Sequence, residues 1–366
     1  MRRGLWGAAA GAVGAAVTGV AVGVAAHKHT RAVAERRKLA TQLADGFAEP
    51  GELPPGEPCS VTADDGIRLY CEEIEPTGGS AALTVVLVHG MALDRRTWHF
   101  QRQSLAALSR PRVRLVLYDL RSHGRSERAP RESCTIEHLG RDLDAVIRAL
   151  APEGPLVLVG HSMGGMTIMA LAEENPELFA ERVVGVALMA TSAGEVASAG
   201  LRGTLLSRRN PFTRVLGLAA RVQPGLVEGL RRATGDVIRT VTASVAFGDR
   251  NVAPWLVDLV DTMISANALD ALTDFVDTLG THDRIAALPA LATCELLVLA
   301  GDADRVIPVS HSVRIAAELP DAELVRLPGV GHLPMLERPG PTDEALIGLV
   351  RRSALRTGPD RLRRRA

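Results

Sequence analysis

Ser162 stands at the centre of Gly160-His161-Ser162-Met163-Gly164, with a glycine two residues away on each side. A serine hydroxyl is a weak nucleophile until a base takes its proton, and imidazole is the base suited to neutral pH. A carboxylate must in turn hold that imidazole in the right tautomer and stabilise its cation. The chain supplies both kinds of group after the serine. Asp302 and Asp304 stand in Gly301-Asp302-Ala303-Asp304, and His332 ends Pro328-Gly329-Val330-Gly331-His332. Such a set performs acyl transfer: the serine oxygen attacks a carbonyl, and water later releases the acyl group. His282 and His311 also follow the serine, but neither lies in a loop directly after a strand-like run, so His332 is the expected base. A chance Gly/Ser turn, in a chain with 35 glycines, is the competing reading of the pentapeptide.

The surroundings decide against chance. An apolar run, Pro155 to Val159, precedes the pentapeptide, and a helix-like run, Met166 to Glu174, follows it. Strand, Gly-x-Ser-x-Gly and helix make a nucleophile elbow, a turn so tight that it strains the serine backbone and needs small neighbours. The acid pair comes just past an apolar run over residues 296–299, and His332 just past another over 323–327. Both therefore fall where loops at the carboxyl end of a parallel sheet converge. Further apolar runs cover residues 83–88, 113–118 and 183–189, the pattern of strands buried on both faces. Ile136, Leu139, Leu143, Val146, Ile147 and Leu150 repeat with helical period. Strands alternating with helices predict an α/β fold with a doubly wound, mostly parallel sheet. A hairpin over residues 59–74, turning at Asp64-Asp65-Gly66, sets Cys59 opposite Cys71, where two reduced thiols are expected rather than a disulfide.

The 366 residues divide by composition. Residues 5–26 carry no charge, a stretch long enough to span a bilayer, and Gly7/Gly11 and Gly19/Gly23 suit helix packing in lipid. Arg2 and Arg3 precede it, while Lys28, Arg31, Arg36, Arg37 and Lys38 follow, which favours a cytoplasmic location for the rest. A membrane anchor within residues 1–44 is the first expectation. A cleaved signal peptide ending at Val24-Ala25-Ala26, with secretion, and a Gly/Ala-rich tail on a cytoplasmic protein are the rivals. Residues 45–58 are a Pro/Gly-rich linker. Residues 59–193 and 289–350 form the α/β core, and the Arg-rich residues 351–366 a basic tail. Residues 194–288 break the strand alternation with helical stripes such as Val252, Leu256, Leu259, Val260, Met263 and Ile264, and are expected to cap the core. With 42 acidic and 42 basic residues there is no global field to attract nucleic acid. No Cys-x-x-Cys pair occurs, and neither metal nor organic cofactor is expected. Nothing in the sequence sets the oligomeric state.

Five motifs stand in order: Val88-His89-Gly90-Met91; the run from Tyr118 to Ser126; Gly160 to Gly164; Gly301 to Asp304 followed by Val306-Ile307-Pro308; and the run from Gly331 to Pro339. Together they resemble the α/β-hydrolase fold superfamily, in its cap-bearing serine esterase and lipase branch. The resemblance covers residues 59 to 350 and neither the apolar N-terminal segment nor the basic tail. The order serine, acid, histidine is that family's order. It implies Asp304 as the acid, three residues after Gly301, with Asp302 structural. It also implies an oxyanion hole made by the backbone N–H groups of Met163 and Met91. His89 is expected to brace the Met91 loop, and Asp119 and Arg121 to fix the loop after their strand; His161 is given no chemical role. A serine in the elbow argues against the relatives that use aspartate there, the epoxide hydrolases and haloalkane dehalogenases. The expected substrate is a small carboxylic ester with an apolar part. Two alternatives keep the three residues and change the bond: C–C hydrolysis and haloperoxidase-like perhydrolysis. A non-catalytic binding protein on the same fold is the alternative from another class, and the intact serine, acid and histidine argue against it.

Overall fold

The computed structural model describes residues 56–195, 245–249 and 251–356. The chain divides into two units, Met1–Gly51 with Asn251–Trp255, and Glu52–Arg250 with Leu256–Ala366. Of the first, only Asn251–Trp255 is described. The expected anchor, the linker up to residue 55 and the end of the basic tail lie outside the described residues. Among the described residues no helix is long and apolar enough to cross a membrane.

Eight strands form one sheet: β1 Glu57–Thr62, β2 Arg68–Ile74, β3 Leu83–Val88, β4 Val113–Tyr118, β5 Leu156–His161, β6 Val183–Met189, β7 Glu295–Gly301 and β8 Glu323–Leu327. Their order is β1-β2-β4-β3-β5-β6-β7-β8. Only β2 runs against the others. The helices used below are α1 His99–Ala106, α2 Ile136–Leu150, α3 Met163–Glu174, α4 Pro176–Glu181, α5 Pro254–Ala266, α6 Leu269–Asp274, α7 Val276–Gly280, α8 Leu288–Leu291, α9 Val309–Glu318, α10 Pro334–Glu337 and α11 Pro339–Leu355.

Strands β3, β5 and β6 are buried along their whole length, which is why they read as unbroken apolar runs. Successive side chains point to opposite faces. Val86, Val88, Leu156 and Leu158 join one cluster with α2 and α3; on the other face α11 crosses β6 and β7. Helix α2 starts at Thr135, whose hydroxyl accepts the His138 N–H, and buries Ile136, Leu139, Leu143, Val146 and Ile147 as their spacing predicts. Each such side chain contributes roughly 1.5–3 kcal/mol by leaving water.

Three boundaries differ from the sequence reading. Strand β5 runs on through Gly160 and His161, which stay paired with Leu188 and Met189, so the serine follows the strand directly. Helix α3 begins at Met163, not Met166. Strand β7 takes in Gly301, paired with Leu327. The hairpin places Cys59 opposite Cys71, and both thiols are free. Between β6 and β7 the described part of the insertion carries α5, α6 and α7.

Candidate active site

Ser162 links the end of β5 to the start of α3 with φ 52° and ψ −118°, a conformation a non-glycine residue rarely holds. The flanking glycines allow it. A Cβ on Gly160 would lie 2.5 Å from the carbonyl oxygen of Gly164, and one on Gly164 would lie 2.2 Å from that of Val88. The turn is fastened from both sides. The Ser162 N–H donates to the Met189 carbonyl, and the Ser162 carbonyl accepts the Thr191 hydroxyl (2.7 Å) and the Gly165 N–H (2.9 Å). That carbonyl shares a planar trans peptide with the Met163 N–H, so holding one aims the other in the opposite direction. Met163 opens α3, where a backbone N–H has no acceptor inside the helix.

Asp304 and His332 are brought to this turn by the loops after β7 and β8. His332 Nδ1 lies 2.8 Å from Asp304 Oδ2, and His332 Nε2 lies 3.1 Å from Ser162 Oγ. A carboxylate only accepts, so Nδ1 carries the hydrogen and Nε2 turns its lone pair to the hydroxyl. The other Asp304 oxygen accepts the Val306 (2.6 Å) and Ile307 (2.9 Å) N–H groups, which locks the acid's orientation. All three residues are nearly enclosed: Ser162 is 9% exposed, Asp304 7% and His332 8%.

The backbone of His332 is held as well. Its N–H donates to the Ala246 carbonyl (2.8 Å), and its carbonyl accepts from His161 Nε2 (2.8 Å). His161 thus has a part that its position in the elbow did not reveal: it ties the strand that leads to Ser162 to the loop that carries His332. Burial, reinforced by the nearby His332, pushes its pKa well below the usual imidazole value, so it serves as a neutral donor. The buried Glu337 carboxylate accepts from Gly331, Gly248 and Asp249, joining the His332 loop to the insertion at residues 248–249. Ala246 carried no signal in the sequence, and Glu337 stood in the Gly331–Pro339 motif without a role of its own. A backbone carbonyl is the same in every residue, and the Gly248 and Asp249 N–H groups that Glu337 accepts lie 89 and 88 positions away.

The Met91 loop is a turn closed by the Leu93 N–H on the Gly90 carbonyl (3.3 Å), with Ala92 at φ 64°. His89 is buried beside it. The Leu120 N–H donates to His89 Nε2 (2.9 Å), so the hydrogen sits on Nδ1, which donates to the Gly90 carbonyl (2.8 Å). This carbonyl belongs to the peptide that carries the Met91 N–H. His89 therefore orients that N–H as Thr191 orients the one of Met163. Burial lowers the pKa of His89 to about 4, which keeps it neutral.

The remaining candidates are engaged elsewhere. Asp302 accepts the Gly329 N–H (2.6 Å). Asp119 accepts the Arg95 and Arg125 N–H groups and the Arg95 guanidinium. Arg121 lies buried between Asp142 and Asp65. His311 Nδ1 meets the Ser192 hydroxyl (2.9 Å), and His282 Nε2 donates to the Ser192 carbonyl (3.0 Å). Among the described residues no group of three or more His, Cys, Asp or Glu is placed to hold a metal ion.

A doubly wound sheet with a strained serine at the end of its central strand, and an acid and a histidine on later strand-end loops, defines a class. The profile of the Alpha/beta hydrolase family matches residues 85–345, and the chain belongs to that family. It is 26% identical over 352 residues to the dihydrolipoyllysine-residue acetyltransferase component of the acetoin cleaving system of Pseudomonas putida, covering 93% of this chain and 81% of that one. It is 28% identical over 274 residues to the sn-1-specific diacylglycerol lipase ABHD11 of Mus musculus, covering 71% and 79%. Among solved structures, a malate-bound thermophilic esterase from Thermogutta terrifontis matches with a TM-score of 0.64 at 26% identity, covering 81% of this chain and 99% of that one.

Proposed function

We propose that this protein is a serine hydrolase of carboxylic esters with an apolar part, working through Ser162, His332 and Asp304 and an acyl-enzyme. The proposal rests on one observation, the continuous relay from Asp304 Oδ2 through the His332 ring to Ser162 Oγ, at 2.8 and 3.1 Å. Ser162 Oγ attacks the ester carbonyl while His332 Nε2 takes its proton. The charge that develops on the carbonyl oxygen is met by the Met91 and Met163 N–H groups, whose peptide planes are already fixed. His332 then gives its proton to the leaving alcohol, and a water deprotonated by the same ring releases the acid and restores the serine. The lipase and the esterase among the relatives support an ester as the bond cleaved. Residues 194–288 act as a helical cap that favours apolar substrates, and residues 5–26 bring the enzyme to a membrane where such esters occur.

The test uses the full-length protein in mild detergent. A fluorophosphonate probe is expected to label Ser162, and p-nitrophenyl esters of graded acyl length to be turned over. Ser162→Ala abolishes both. A wild-type protein that neither labels nor turns over any ester, or a Ser162→Ala variant that keeps its activity, would sink the proposal.

A further inference from the structure

Asn267 lies on the insertion just past α5 and is 6% exposed. Its side-chain amide reaches three different segments. Nδ2 donates to the Ala92 carbonyl (3.0 Å) and to the Met263 carbonyl (2.8 Å), and Oδ1 accepts the Gly124 N–H (3.1 Å). Reversing the amide would set its oxygen against two carbonyls and its nitrogen against an N–H, so the orientation is fixed by the partners themselves. Ala92 directly follows Met91 and holds φ 64°, a backbone conformation that for alanine must be enforced from outside. Gly124 belongs to the loop that Asp119 organises. A second contact runs from the insertion to the same place. The buried Phe275 ring packs on His123 (5.4 Å between centroids), and His123 on His89 (5.6 Å), the residue that orients the Met91 peptide.

We propose that Asn267 is a positioning residue for the oxyanion loop, so that the insertion sets the rate of the chemical step as well as covering the site. The inference rests on the serine-hydrolase reading and adds to it. Without Nδ2 the Ala92 carbonyl is left unpaired and the turn is free to leave its strained conformation, which carries the Met91 N–H away from the developing charge. The insertion also grips the base loop, through the Ala246 carbonyl on the His332 N–H. Two of the loops that carry reacting groups, those of Met91 and His332, are therefore fastened to one intervening segment.

Asn267→Asp is the test. It keeps the shape and the acceptor for Gly124 and replaces the two donors by an oxygen that repels both carbonyls. The full-length variant is compared with wild type by fluorophosphonate labelling, ester kinetics, melting temperature and hydrogen exchange of peptides over residues 90–94 and 256–266. The expected result is labelling and kcat about tenfold slower or worse with KM little changed. The melting temperature falls, as a buried carboxylate facing two carbonyls requires, but faster exchange is confined to residues 90–94. Asn267→Ala, which removes all three bonds, is at least as slow. Labelling of Asn267→Asp at the wild-type rate overturns the inference. So does a loss accompanied by faster exchange over both peptides. If the wild type does not label, the hydrolase reading falls while exchange still decides the tether: faster exchange confined to residues 90–94 supports it, and unchanged exchange overturns it.

Discussion

Asp302 and Asp304 are two residues apart on one loop, and only their surroundings separate them. Asp304 faces the His332 ring with one oxygen and two backbone N–H groups with the other, whereas Asp302 closes the loop onto Gly329. Asp304→Asn is therefore expected to present the wrong hydrogen to Nδ1 and to lower kcat by about 10³–10⁴-fold. Asp302→Asn is expected to stay within about threefold, because it removes no contact to the imidazole. Steady-state kinetics on a p-nitrophenyl ester distinguishes the two, and a damaging Asp302→Asn would move the acid to that residue. The serine, the acid pair and the histidine were legible in the sequence because their chemistry needs particular side chains next to glycines. What holds them was not. His161 meets a carbonyl 171 positions away, and the Ala246 partner of His332 is a backbone oxygen.

The elbow works because two elements approach more closely than side chains permit. Gly164 in α3 faces the carbonyl of Val88 at the end of β3, and neither backbone has room to move without breaking the sheet or the helix. Gly164→Ala is expected to cost about 3 kcal/mol or more, or to prevent folding. Thermal unfolding and soluble yield measure it, and a variant that melts like wild type would mean that β3 and α3 can part. At this scale the strands were the legible part, because β3, β5 and β6 are buried on both faces and, apart from Thr84 and His161, carry only apolar residues and glycine. Helices α1, α9 and α11 were not read. Helix α1, His-Phe-Gln-Arg-Gln-Ser-Leu-Ala, buries only Gln101 and Leu105. Helix α11 opens on Pro339-Gly340-Pro341, which reads as a loop although proline at a first helical position is favourable. The turn residues hid a helix start.

The whole molecule stores neutral imidazoles. Burial lowers the pKa of His89 and His282 to about 4, of His123 to about 3, and of His161 well below its ordinary value. In the unfolded chain these groups titrate near 6.5, so below that pH the unfolded state binds protons that the folded state does not, and stability falls. Asp119 and Asp142 work the other way: burial raises both to about 6, and below pH 6 the folded state takes up those two protons first. The lowered imidazoles outnumber the two raised carboxyls, so stability falls as the pH drops from about 6 towards 4. Urea midpoints at about pH 7.5 and about pH 5 check this, and a midpoint that holds or rises in acid contradicts it.

The two grips of the insertion also bear on how this chain recombines with its relatives. Ala246 and Asn267 are 21 positions apart, and their partners, His332 and Ala92, lie on opposite sides of the insertion in the chain. A crossover between residues 246 and 267 hands the two grips to different parents. Crossovers at the insertion's ends keep the grips together but separate both from the loops they hold. Chimeras that exchange the insertion to change substrate preference therefore inherit mismatched loops unless residues 91–93 and 329–337 travel with it.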